Sequence, residues 1–209
     1  MQILHLDSSV LGDASASRLL SAMIVEDLRH ERPDARVVYR DLVADAVAHL
    51  TGPVAAGFRG AGSAPANDPQ TVREHVRSEE LVSEFLASDV IVIGAPMYNF
   101  SVASQLKAWI DRVAQPGRTF RYTADGPVGL SGGRRVIVAS TRGGMYSTGA
   151  AAGMDFQEAY LKAFFGFLGI HHVEVVRAER LTKGAELREG SIAEAHGQVH
   201  AAIARTLMA

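Results

Sequence analysis

The loop Asp7-Ser8-Ser9-Val10-Leu11-Gly12-Asp13-Ala14-Ser15-Ala16-Ser17 gathers the hydroxyls of Ser8, Ser9, Ser15 and Ser17 around Gly12, between a short apolar run and an amphipathic stretch. The first turn of a helix leaves N–H groups unpaired and carries partial positive charge, so hydroxyls added there suit a phosphate. Arg18 is the one basic residue nearby in the sequence. A helix cap needs only one of these serines. The loop has neither Gly-x-Gly-x-x-Gly nor a terminal Gly-Lys-Ser/Thr, which removes support for a dinucleotide fingerprint and for nucleotide hydrolysis. A monophosphate held by hydroxyls and backbone amides is what a mononucleotide flavin requires.

Two further segments suit a flat, polar-edged ligand. Pro96-Met97-Tyr98-Asn99-Phe100 offers two aromatics, a thioether and a carboxamide where a strand is expected to end. A hydrophobic plug for the next helix is the competing reading of that segment. Ser140-Thr141-Arg142-Gly143-Gly144 carries paired glycines that let backbone amides approach a ligand. Donors at that point favour the negative charge that a reduced flavin gathers on its pyrimidine end. A plain tight turn is the alternative.

Composition narrows the chemistry. The 209 residues contain no cysteine, which excludes a thiolate nucleophile and a redox dithiol, so redox chemistry requires a cofactor. No metal site is expected. A formal net charge of -2 and the absence of a basic cluster leave no field for nucleic acid or an anionic membrane. No basic leader and no long apolar run occurs, so a cytoplasmic protein is expected. Asn99-Phe100-Ser101 matches a glycosylation acceptor, but a functional loop asparagine is the preferred reading.

The elements that must position these loops follow from periodicity. Short apolar runs at 3–6, 37–39, 90–95, 136–139 and 173–176 read as five strands. Amphipathic stretches at 15–31, 70–87, 102–114, 159–168 and 192–208 read as helices. Such alternation predicts a single flavodoxin-like α/β domain over 1–209, a parallel sheet of order 2-1-3-4-5 with helices on both faces. Ligands of such sheets sit beyond the carboxyl ends of the strands, at the switch point between the first and third. Residues 43–69 and 115–133 are loop-rich excursions. The stretch at 159–168 is apolar on more than one face, which suggests a partner.

At these residues the sequence resembles the FMN-dependent NADH-azoreductases, flavodoxin-like homodimers that also reduce quinones. The resemblance runs in order through Ser8-Ser9, Ser15-Ala16-Ser17, Ala95-Pro96-Met97-Tyr98-Asn99-Phe100, Thr119-Phe120-Arg121-Tyr122, Gly126-Pro127, Thr141-Arg142-Gly143-Gly144 and Phe164-Phe165-Gly166-Phe167-Leu168-Gly169. It implies that Ser9, Ser15, Ala16 and Ser17 hold the FMN phosphate, and that Met97, Tyr98, Asn99 and Phe100 embrace the isoalloxazine. Thr141, Arg142, Gly143 and Gly144 would bind its pyrimidine edge. Tyr122 and Phe167 would wall the substrate pocket, Phe167 coming from the partner subunit. The implied reaction is a ping-pong transfer of two electrons from NADH, with NADPH as an alternative donor, through FMN to small aromatic azo compounds or quinones. Nothing in the motifs covers 145–155.

Two other readings compete. An electron-transfer flavodoxin would need a strong acidic docking face, which a net charge of -2 does not supply. A serine hydrolase lacks its Gly-x-Ser-x-Gly elbow. No protein acid or base is assigned, and His171-His172 would point to opposite faces of a strand.

Overall fold

Side chains of the central strands alternate between two cores, and that alternation fixes the architecture. The computed structural model describes residues 1–58 and 68–208. Its strands are β1 (Gln2–Asp7), β2 (Arg36–Asp41), β3 (Val90–Tyr98), β4 (Ser101–Val102), β5 (Phe120–Thr123), β6 (Gly126–Gly129), β7 (Arg135–Thr141) and β8 (Val173–Ala178). Its helices are α1 (Ala16–Glu31), α2 (Gly52–Phe58), α3 (Pro69–Ala87), α4 (Ser104–Val113), α5 (Gln157–Phe167) and α6 (Ala185–Met208). Ile3, Val90, Val92, Ile137 and Ala139 join Leu20, Ile24 and Leu28 of α1 and Val199 and Ile203 of α6 in one core. Leu4, Leu6, Ile91, Ile93, Val136 and Val138 turn the other way, onto Leu81 and Phe85 of α3, Trp109 of α4 and Phe165 of α5. A strand buried on both faces reads as a continuous apolar run, which is why the runs at 90–95 and 136–139 were legible.

Five parallel strands lie in the order β2-β1-β3-β7-β8, the order expected from the sequence. Helices cover both faces of this sheet. Gly94 on β3 leaves room for the Asp7 carboxylate. A Cβ there would lie 2.2 Å from Asp7 Oδ1, so a side chain at 94 would displace that carboxylate.

The excursions hold more structure than expected. Residues 115–133 contain the β5–β6 hairpin, paired from Phe120–Gly129 to Thr123–Gly126. The other excursion includes α2, while 59–67 of it lie outside the described residues. Helix α6 begins well before residue 192, because its first turns are exposed and polar and show no apolar stripe. No helix among the described residues is long and apolar enough to cross a membrane.

Candidate active site

The loop between β1 and α1 forms a cradle. Ser15 caps α1, its Oγ accepting the Arg18 amide at 3.3 Å, and lies 3.0 Å from Ser17 Oγ. Ser9, Ser15, Ala16 and Ser17 are all buried. The amides of Ala16 and Ser17, the first two of the helix, have no partner among the described residues. Tyr98 reaches over from β3, its phenol oxygen 3.2 Å from Ser9 Oγ and accepting the Val10 amide at 3.2 Å. Arg18 braces the cradle from behind: its guanidinium bonds both Asp41 oxygens at 2.7 Å and the Ser9 carbonyl at 3.1 Å. That pairing holds the Asp41 carboxyl below its ordinary range and raises Arg18. Its charge is therefore spent on Asp41.

The segment after β3 is a hairpin rather than an open loop. Met97 and Tyr98 pair with Val102 and Ser101, and the two-residue tip is Asn99-Phe100. Both tip residues have positive φ, 46° and 71°, the signature of a tight hairpin turn whose twist matches the strands. Asparagine tolerates that region, whereas phenylalanine there is strained. The tip is exposed, with no amide of Asn99 or Phe100 engaged among the described residues. The Phe156 amide holds the Phe100 carbonyl at 3.1 Å, and Tyr146 sets its ring edge-on to Phe100 at 6.2 Å.

Facing the tip, the turn after β7 presents Gly143 and Gly144, whose amides have no partner among the described residues. Their carbonyls are engaged, Gly143 by Thr182 and Gly144 by the Arg180 amide at 2.8 Å. Thr141 ends β7, buried and in register with Pro96. Arg142, between Thr141 and these glycines, is engaged within the protein. Its amide bonds the Ala178 carbonyl, and its fully buried guanidinium turns inward to Asp155 (3.0 Å), Glu158 (2.8 Å) and Glu179 (3.3 Å). A cation that strong needs buried carboxylates more than it needs an exposed position.

Those carboxylates tie the site together. Arg177 donates both to Glu158, at 2.7 and 2.6 Å. Burial opposes the charge on Glu158, but Arg177, Arg142 and Ser140 more than offset it and hold the carboxyl below its usual range. Glu179 is also desolvated, and it too is lowered, by the Ser147 hydroxyl, the amides of Tyr146 and Ser147 and Arg142. The turn carrying Tyr146 is thereby fastened to the end of β8.

Met97, Asn99, Phe100, Gly143, Gly144, Tyr146, Thr182 and Lys183 enclose a cavity of about 430 Å³. Asn99 also lines a second, of about 650 Å³, with Val10, Tyr98, Gln105 and Tyr160. Tyr122 and Phe167 line neither. Both touch Phe120, Tyr122 edge-on at 5.3 Å and Phe167 tilted at 4.5 Å between ring centroids, and Tyr122 is 73% exposed on the hairpin.

A family model described as flavodoxin-like fold matches residues 1–203. The chain belongs to that family. Among its flavodoxin-like relatives, a protein of Ralstonia nicotianae named FMN-dependent NADH:quinone oxidoreductase is 63% identical over 209 residues, all of both chains. A second of that name, from Xanthomonas euvesicatoria pv. vesicatoria, is 58% identical over 199 residues, 95% of this chain and 92% of its own. A solved FMN-dependent NADH-azoreductase from Bacillus anthracis str. Ames Ancestor, in complex with FMN, is 25% identical with a TM-score of 0.83, covering 95% of this chain and 97% of that one. An azoreductase from Bacillus anthracis str. Sterne shares the fold at a TM-score of 0.88, 24% identity and coverage of 97% and 98%.

Within this flavodoxin-like frame, sequence reasoning missed Tyr146, Thr182 and Lys183. They sit on turns with no periodic signal, and hydrogen bonds of Thr182 to Gly143 and of the Arg180 amide to Gly144 bring the β8–α6 turn to the site. The single available cue was the glycine at 184, which has positive φ and ends that turn.

Proposed function

We propose that the chain is an FMN-dependent oxidoreductase that carries two electrons by a ping-pong course from NADH, with NADPH as an alternative donor, to quinones or azo compounds. It acts as a single FMN-binding domain, in a cytoplasmic homodimer. One observation carries the reading: the loops after β1 and β7, beside the switch point, hold amides at Ala16 and Ser17 and at Gly143 and Gly144 that have no partner among the described residues, with the strained Asn99-Phe100 tip opposite the second pair. This arrangement fits FMN. A phosphate satisfies the α1 amides and the serine hydroxyls, and a ring edge satisfies the glycine amides.

When bound, the flavin supplies the redox chemistry between nicotinamide and acceptor. Ser9, Ser15, Ala16 and Ser17 hold its phosphate, and Met97, Tyr98, Asn99 and Phe100 shield and orient its ring. The amides of Gly143 and Gly144, beside Thr141, face the edge where negative charge gathers, and their carbonyl tethers keep them from reorienting. Arg142 contributes through its carboxylates, by fixing the loop rather than by touching the ring.

Dimerisation is supported by what surrounds the cavities. Val10, Leu11, Phe100, Met154 and Phe156 are all at least 40% exposed, and Tyr122 stands free on its hairpin. A second copy would cover these apolar groups and bring Tyr122 or Phe167 to the acceptor side. The deciding experiment loads the protein with FMN and compares NADH and NADPH oxidation with a quinone panel and azo dyes. Turnover with one acceptor class is expected, and a protein that binds no FMN would overturn the proposal.

A further inference from the structure

We infer that Arg188 is an additional ligand of the FMN phosphate, an inference that rests on the flavin reading above. Arg188 lies in the first turns of α6 and is half-buried. Its Nη2 donates to the Ala14 carbonyl at 3.1 Å, across 174 positions of sequence. Ala14 ends the short 3-10 turn Gly12–Ala14 and directly precedes Ser15, the cap of α1. A guanidinium is thus anchored by one nitrogen at the rim of the phosphate cradle. Its remaining nitrogens have no partner, and it forms no ion pair, among the described residues.

Charge explains why the cradle needs it. A phosphate monoester carries about -1.5 to -2 at pH 7, whereas a helix N-terminus offers the equivalent of about +0.5. Arg18, the basic residue the sequence places beside the loop, is neutralised by its two bonds to Asp41. Asp13, in the 3-10 turn itself, adds a negative charge. Arg188 is the guanidinium at this loop that is not matched by an acid. Arginine also presents several coplanar donors, so one can hold the Ala14 carbonyl while others reach a phosphate oxygen.

The test uses apoprotein, the variants Arg188→Gln and Arg188→Lys, and two flavins that differ only in the phosphate. Arg188→Gln should weaken FMN binding, read by fluorescence quenching, roughly tenfold or more. Riboflavin binding should change less than about twofold by the same reasoning, and Arg188→Lys, which keeps the charge but not the planar fork, should recover part of the loss. The 31P resonance of bound FMN should shift in Arg188→Gln. Unchanged FMN affinity with an unchanged 31P resonance would reduce Arg188 to a tie for the Ala14 carbonyl and overturn the inference. Equal losses for both flavins would do the same, because they report a displaced loop. Wild-type protein that quenches neither flavin would instead defeat the flavin reading itself.

Discussion

The Tyr98 phenol oxygen lies 3.2 Å from Ser9 Oγ and accepts the Val10 amide at the same distance, so one hydroxyl links the end of β3 to the loop after β1. The two strands meet at the switch point, and this contact couples the ring-bearing hairpin to the phosphate cradle. Tyr98→Phe should cost about 0.5–1.5 kcal/mol of stability, since water can serve the exposed Val10 amide. FMN affinity should fall several-fold more than that loss explains. Thermal melts of apoprotein alongside FMN titrations measure both.

Replacing Ser15 and Ser17 together with Ala removes the cap of α1 and two cradle hydroxyls. The cap loss is worth about 1 kcal/mol. FMN binding should weaken by more, on the order of tenfold to a hundredfold. Equal FMN affinity in the double variant would make the pair an ordinary cap.

Phe100 holds a φ of 71°, which suits glycine. Phe100→Gly should leave apoprotein stability unchanged or raise it by up to about 1 kcal/mol, while weakening flavin binding through loss of the ring. Denaturant midpoints of apoprotein and holoprotein, taken together, separate the two effects.

Arg142 is the buried hub of three carboxylates. Arg142→Met leaves Asp155 and Glu179 without their guanidinium, Glu158 keeping Arg177, and should destabilise by about 3–5 kcal/mol. Chemical denaturation reads this directly. A loss below 1 kcal/mol would mean the cluster relaxes into solvent.

Glu158 and Glu179 have folded-state pKa values below the usual carboxylate range. Their contribution to stability is therefore fully present above the unfolded value of about 4.3 and is lost as pH falls through the folded values. The melting temperature should decline steeply below about pH 4. Glu179→Gln should flatten that decline and lower the plateau above it.

Much of the frame was legible because its physics is periodic. Strands buried on both faces, such as 90–95, and the apolar stripe of α1 leave patterns that a single sequence displays. Serines before a helix and glycines after a strand announce backbone donors through their own conformational chemistry. The inward course of the Arg142 side chain was not legible for a physical reason: whether a cation faces outward or inward depends on where its acids lie, and Asp155 and Glu158 at the start of α5 and Glu179 after β8 are brought to it by the fold. The roles of Arg188, Thr182 and Lys183 depend likewise on contacts across the fold.

The β5–β6 hairpin meets the end of α5 at a pair of glycines, beside the Phe120–Phe167 ring contact. A Cβ on Gly129 would lie 2.1 Å from the Gly169 nitrogen, and Gly169 itself has positive φ. Where glycine meets glycine, the close approach is made by backbone and leaves no room for a side chain on Gly129. Tyr122, at the exposed edge of the hairpin, takes no part in that close approach. The hairpin thereby separates a contact that admits no side chain from an exposed edge that admits any.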